Sequence, residues 1–158
     1  MKKWIYLYSL LVAAVLTQVI LMRHYAWFPD IIILIVVFTG FFCGGAAGAV
    51  FGLFAGIFRG YFSVDTFQMD VLIFPVVGAV SALLGRAFYR HNFIVQVFTV
   101  MVSFLFVASA QTLYLNIISD NDIEIPFVIV ASGGSFLATV LISPLLFTGL
   151  RKLLRLRA

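Results

Sequence analysis

Long apolar segments alternate with short polar breaks along the whole chain. The apolar segments cover residues of about 4–22, 30–43, 45–59, 69–86, 93–118 and 125–150. A helix needs about 20 apolar residues to cross about 30 Å of hydrocarbon, and most of these segments approach that length. The pattern therefore predicts an all-α integral membrane protein with one transmembrane domain over residues 1–158, built as a bundle of six transmembrane helices.

The stretch from Ile31 to Phe58 leaves the number of spans open between five and six. At 28 residues it is long for one span and short for two. Cytoplasmic loops are rich in Lys and Arg. Six spans place both termini in the cytoplasm with eight basic residues inside and two outside, whereas five spans give seven against three. We favour six, because five would leave Lys2 and Lys3 outside the first helix, which usually dominates orientation.

Composition supports the membrane interpretation and narrows the chemistry. Hydrophobic residues make up 64% of the chain and charged residues only 10%, whereas soluble domains carry roughly 25% charged residues. A single cysteine excludes a disulfide within the chain. We find no HExxH sequence and no phosphate-binding loop. We therefore expect no enzymatic activity, no catalytic residues, no cofactor, no metal and no nucleic-acid partner.

Glycines recur at every fourth position through the middle of the chain. In lipid, small residues at this spacing let two helix backbones approach closely. The packing could lie within one bundle, or it could serve self-association or the docking of a partner's transmembrane helix. The candidates for helix packing or partner binding are Gly44, Gly48, Gly52, Gly56 and Gly60, and Gly40 precedes them in the same repeat.

Few charged residues lie near the apolar segments, and those that do are candidates for function. We expect Asp30 to be an exposed N-cap at the outer interface. Arg59 ends the third segment, and we expect it to pair with Asp65 or Asp70 on the same outer side. Gln111 is one of several isolated amides that we expect to make hydrogen bonds between helices.

The chain resembles the family of the rod shape-determining protein MreD. The resemblance rests on small size, six apolar segments and a basic C-terminal tail. It also rests on Pro29–Asp30 before an aliphatic run, on the glycine-rich segment Gly48–Gly56 and on the segment Gly78–Gly85. Arg59 departs from the family, which often carries an acidic residue at about this position.

The resemblance implies a fold like the substrate-binding subunits of energy-coupling-factor transporters. It implies a non-enzymatic scaffold of the cell-wall elongation machinery (the elongasome) in the bacterial cytoplasmic membrane, helping to maintain cell shape. The implied partners, besides membrane lipid, are an MreC-like bitopic protein and, through it, a penicillin-binding transpeptidase, a RodA-like glycosyltransferase and an MreB-like filament active in peptidoglycan synthesis. The alternative is a vitamin-binding membrane subunit of a transporter, with a cavity lined by Asp65, Gln68 and Asp70.

Overall fold

The chain is all-helical over the residues that the computed structural model describes, which are 2–22, 28–62, 66–88, 92–119 and 133–153. The predicted all-α fold is confirmed for this part of the chain, and Asp65 lies outside it. The described helices are α1 (Lys2–Met22), α2 (Ile31–Cys43), α3 (Gly45–Phe62), α4 (Phe67–Ala87), α5 (Phe93–Ser119) and α6 (Gly133–Leu153).

Four helices, α3 to α6, are long and apolar enough to cross a membrane, with mean hydropathy between 1.3 and 2.2 over their most apolar stretches. Large apolar side chains also face outward from the bundle. Leu72 is 67% exposed, Leu141 73% and Leu145 78%. Such a surface is unfavourable in water but is the normal surface of a helix in hydrocarbon. These helices indicate a membrane protein.

Gly44 separates α2 from α3. Its φ of 101° lies in the left-handed region, which favours glycine because a Cβ would clash with the backbone. The two helices form an antiparallel hairpin, since Asp30 at the start of α2 contacts Arg59 at the end of α3. The apolar stretch, which the sequence left open between one helix and two, is two helices in the structure, as the favoured division into 30–43 and 45–59 predicts.

Helix α2 is the centre of the bundle and contacts each of the other five helices. Every residue from Ile32 to Phe41 is buried. With 13 residues the helix is about 20 Å long. An unbroken apolar sequence with no polar face is typical of a helix that is enclosed on all sides. Helix α2 is therefore apolar all round because the other helices surround it.

The helices alternate in direction. Gln18 near the end of α1 contacts the start of α2, and α3 and α4 run antiparallel. Gln111 near the end of α5 contacts Asp70 at the start of α4. Thr139 near the start of α6 contacts Asp30. One end of the bundle, called the polar end below, therefore collects the C-terminal parts of α1, α3 and α5 and the N-terminal parts of α2, α4 and α6.

Candidate functional site

Three charged side chains meet inside the polar end, and we call Asp30, Arg59 and Asp70 the charged cluster. The Arg59 Nη1 atom donates to Asp30 Oδ2 at 2.5 Å, and Arg59 Nε lies 3.9 Å from Asp70 Oδ2. The side chain of Arg59 is 18% exposed, those of Asp30 and Asp70 only 3% and 0%. One guanidinium therefore bridges two buried carboxylates on different helices.

The helix ends explain how these charges are tolerated in the interior. Asp30 is the N-cap of α2, and its Oδ1 accepts the Ile33 N–H at 3.1 Å. Asp70 lies in the first turn of α4, and Arg59 in the last turn of α3. Helix N-termini favour negative charge and C-termini favour positive charge. Each charge therefore lies at the helix end that stabilises it, in addition to pairing with its neighbour.

Further contacts fix the carboxylate of Asp70. The Gln111 amide nitrogen donates to Asp70 Oδ1 at 2.5 Å, and the Thr66 hydroxyl donates to Oδ2 at 3.3 Å. The ring of Phe74 lies below the guanidinium, with Arg59 Cζ 5.2 Å from its centroid, which is within range of a cation–π contact. Both oxygens of Asp70 are thus occupied by protein groups.

Helices α1 and α6 complete the polar end. The Asp30 N–H donates to the Thr139 hydroxyl at 2.8 Å, and that hydroxyl donates to the Ser135 carbonyl at 2.6 Å. The Ile32 N–H donates to Gln18 Oε1 at 3.3 Å. Among the described residues, no buried side-chain nitrogen or oxygen lacks a hydrogen-bond partner. One polar network therefore joins all six helices at this end.

The structure corrects the expected exposure of Asp30 and adds a second ion-pair partner for Arg59. Asp30 was expected to be an exposed cap; it is a cap, but it is 2% exposed, because Arg59 reaches it across the α2–α3 hairpin. Asp70 contacts Arg59 as expected, although Asp30 is the closer partner. The Asp30–Arg59 pair was missed because it depends on the reversal of the chain at Gly44.

The repeated glycines lie mainly at the contact between α3 and α4, which is the most extensive helix contact in the bundle. A Cβ at Gly48 would lie 2.9 Å from the carbonyl carbon of Gly78, and one at Gly56 would lie 2.9 Å from that of Asp70. At Gly60 the nearest backbone atom would be Phe67 Cα, at 3.0 Å. These glycines therefore let the two backbones touch within the chain.

Helix α2 joins the same close contact through glycines outside the main candidates. A Cβ at Gly40 would lie 3.1 Å from the carbonyl carbon of Gly78, and one at Gly48 would lie 2.6 Å from Gly40 Cα. Gly85 contacts the ring of Phe41. At Gly44, by contrast, a Cβ would meet nothing within 4 Å, so this glycine serves the turn and not helix packing. Helices α2, α3 and α4 therefore form an interlocked core.

An apolar groove opens on the outer surface between α1 and α3, and we call it the α1–α3 groove. The described residues that line it are Tyr8, Ala46, Ala47 and Val50, and its volume is about 450 Å³. The ring of Tyr8 packs on α3, with its centroid 5.4 Å from that of Phe51. Ala46 and Val50 are exposed, so small and medium side chains form the floor of this groove.

The polar end can hold helix ends in register, but it does not assemble a metal site within the described part of the chain, where no group of three or more His, Cys, Asp or Glu side chains could hold an ion. No family model, curated protein or solved structure matches the chain. What the fold itself defines is a helical membrane protein with an interlocked core and an internal polar end.

Proposed function

We propose that this protein is a non-enzymatic scaffold of the bacterial cell-wall elongation machinery that binds the transmembrane helix of an MreC-like bitopic protein. The observation that carries the proposal is the α1–α3 groove. The resemblance of the sequence to the MreD family supplies the biological setting. Through its bitopic partner, the scaffold would reach the transpeptidase, the glycosyltransferase and the filament.

The proposed topology has six spans in the cytoplasmic membrane with both termini in the cytoplasm. The alternating direction of the six helices and the excess of basic residues at one end support it. Helix α2 is about 20 Å long, against about 30 Å of hydrocarbon. Its neighbours enclose it, so it need not match the bilayer as a lipid-exposed span must. In this topology the polar end faces outward.

The lining of the α1–α3 groove suits contact with a helix. The groove has a volume of about 450 Å³, and Ala46 and Val50 lie about one turn apart on α3. Ala46 and Ala47 allow close backbone approach, which drives helix association in lipid. The exposed Leu53, Phe54 and Ile57 extend the apolar surface along α3.

The experiment is co-purification of the MreC-like partner with the full chain carrying Ala47→Phe. The added ring should fill the groove and reduce recovery of the partner at least fivefold. The matched control is Ala13→Phe on α1, because Ala13 is exposed and lies about 140° around the helix from Tyr8. Unchanged recovery with Ala47→Phe, in a chain with a normal circular dichroism spectrum, would refute the proposal.

Substitution of Gly52 or Gly56 by Leu is a poor test of partner binding. A side chain at either position would meet the backbone of α4 within the same chain. Loss of the partner would then follow from loss of the fold. The groove variants avoid this problem, because Ala46 and Ala47 line the groove, Ala46 being exposed and Ala47 half-buried.

The contacts of Asp70 favour the scaffold over the vitamin-binding alternative. That alternative needs Asp70 and Gln68 to face a ligand cavity. Asp70 instead accepts hydrogen bonds from Gln111 and Thr66 and contacts Arg59, while Gln68 accepts one from the Tyr114 hydroxyl at 3.0 Å. A bound metabolite in the mass spectrum of the purified protein, or a thermal shift with a vitamin, would reverse this preference.

A further inference from the structure

A second apolar groove lies at the end of the bundle opposite the polar end, between the start of α5 and the last turns of α6. We call it the α5–α6 groove. Its volume is about 560 Å³. It is lined by Phe93, Pro144, Leu145, Thr148, Gly149 and Lys152.

The residues of α6 that line the groove occupy one face of that helix. Gly149 contributes no side chain, and a Cβ there would meet nothing within 4 Å. The Thr148 hydroxyl donates to the Pro144 carbonyl at 2.8 Å, so its polar group is already satisfied. The body of the groove is therefore apolar, with room created by the glycine.

Among the described residues that line the groove, Lys152 is the charged one, and it lies at one end of the groove. Lys152 is exposed and follows Arg151 in the last turn of α6, which places two basic residues side by side. Helix α5 begins with Phe93 at the same end, and Asn92 precedes it, with its Oδ1 accepting the Ile94 N–H at 3.0 Å. An anionic group at this end would lie near positive charge, next to the apolar part of the α5–α6 groove.

The length and lining of the groove suit a lipid chain. Pro144 and Lys152 are separated by about 12 Å along α6, which is close to the ~15 Å thickness of one leaflet of hydrocarbon. The groove is apolar along this length and has a charged residue at one end, as a lipid with a charged headgroup requires.

We propose that the α5–α6 groove binds one anionic phospholipid, with an acyl chain along α6 and the phosphate group at Lys152. Basic pockets between transmembrane helices on the cytoplasmic side recognise anionic headgroups, and the proposed topology places this end there. The lipid would tie α6 to α5 at the end of the bundle that lacks the charged cluster. The inference rests on the proposed membrane topology but does not depend on the scaffold function.

The experiment is native mass spectrometry of the full chain in detergent, titrated with phosphatidylglycerol or with phosphatidylcholine of the same acyl chains. The wild-type protein should bind one phosphatidylglycerol at least fivefold more tightly than phosphatidylcholine, since each nearby Lys contributes about 1 kcal/mol. Lys152→Gln should weaken phosphatidylglycerol binding about fivefold. Arg86→Gln is its control, because it removes an exposed charge from the last turn of α4 outside the groove.

A second pair of variants tests the shape of the site. Gly149→Leu should fill the groove and weaken both lipids, whereas Gly133→Leu places the same side chain in open space at the other end of α6. Equal affinity for the two lipids, or unchanged binding after Gly149→Leu, would overturn the proposal. If Gly149→Leu does not fold, the exposed Lys152 variant decides: a loss no greater than that of Arg86→Gln contradicts the site.

Discussion

Substitution of Gly52 by alanine tests the close contact between α3 and α4. A Cβ at this position would lie 2.6 Å from the carbonyl carbon of Phe74 and 2.9 Å from the nitrogen of Pro75. Both are backbone atoms, so no side chain can move aside. Carbon atoms pack best at about 3.5–4.0 Å. The added methyl group therefore requires α3 and α4 to separate by about 1 Å.

Overpacking of this kind costs about 1–3 kcal/mol of unfolding free energy. Alanine also favours a helix over glycine by about 1 kcal/mol, which opposes the steric cost. The control Gly149→Ala separates the two effects, since its Cβ would meet nothing within 4 Å and only the helix preference remains. We expect Gly52→Ala to be less stable than Gly149→Ala by about 1–3 kcal/mol.

The assay is reversible unfolding in mixed detergent micelles, followed by circular dichroism, on both variants and the wild-type chain. Gly52→Leu should lose more unfolding free energy than Gly52→Ala, because its side chain is larger. If Gly52→Ala matches or exceeds the stability of Gly149→Ala, the two backbones do not touch as described, and the assignment of the glycine repeat to packing within the chain is wrong.

Three further predictions use the same assay. Arg59→Leu should cost about 3–5 kcal/mol, because it leaves two buried carboxylates unpaired, and adding Asp30→Asn should restore part of that loss; full stability of the single variant would contradict the charged cluster. Gln111→Leu should cost about 1.5–3 kcal/mol, because it removes a hydrogen bond to the charged Asp70, and a neutral result would argue against that contact. Gly44→Ala should cost about 1–2 kcal/mol through its left-handed backbone, whereas an unchanged stability would place the turn elsewhere.

The hydropathy of the sequence was sufficient to predict the helices, because a helix in lipid must be apolar over nearly its whole length. The division between α2 and α3 was predicted from the distribution of basic residues and not from hydropathy. Apolar residues continue through it, and only Gly44 adopts a conformation that interrupts the helix. Helix α2 is apolar all round, but so is a helix that faces lipid, so its sequence alone did not reveal its central position.

Most of the individual residues of the candidate site were predictable from the sequence, but their contacts with one another were not. Glycines at every fourth position indicated close helix packing, but the spacing does not specify which helix packs against them. Asp30 was recognisable as a cap from its position after Pro29, yet its burial depends on Arg59 returning to it through the hairpin. Thr139 gave no signal, since a hydroxyl in an apolar helix ordinarily satisfies itself against the preceding turn.

Photo-crosslinking from the α1–α3 groove shows whether that groove holds the partner's transmembrane helix. A benzophenone side chain would replace Ala47 in one sample and Ala13 in the other, in cells that produce the full chain at its native level. We predict a crosslink from position 47 to the transmembrane helix of the MreC-like partner and none from position 13. A crosslink to that helix from position 13 alone, or from neither position while the two proteins still co-purify, would contradict the account.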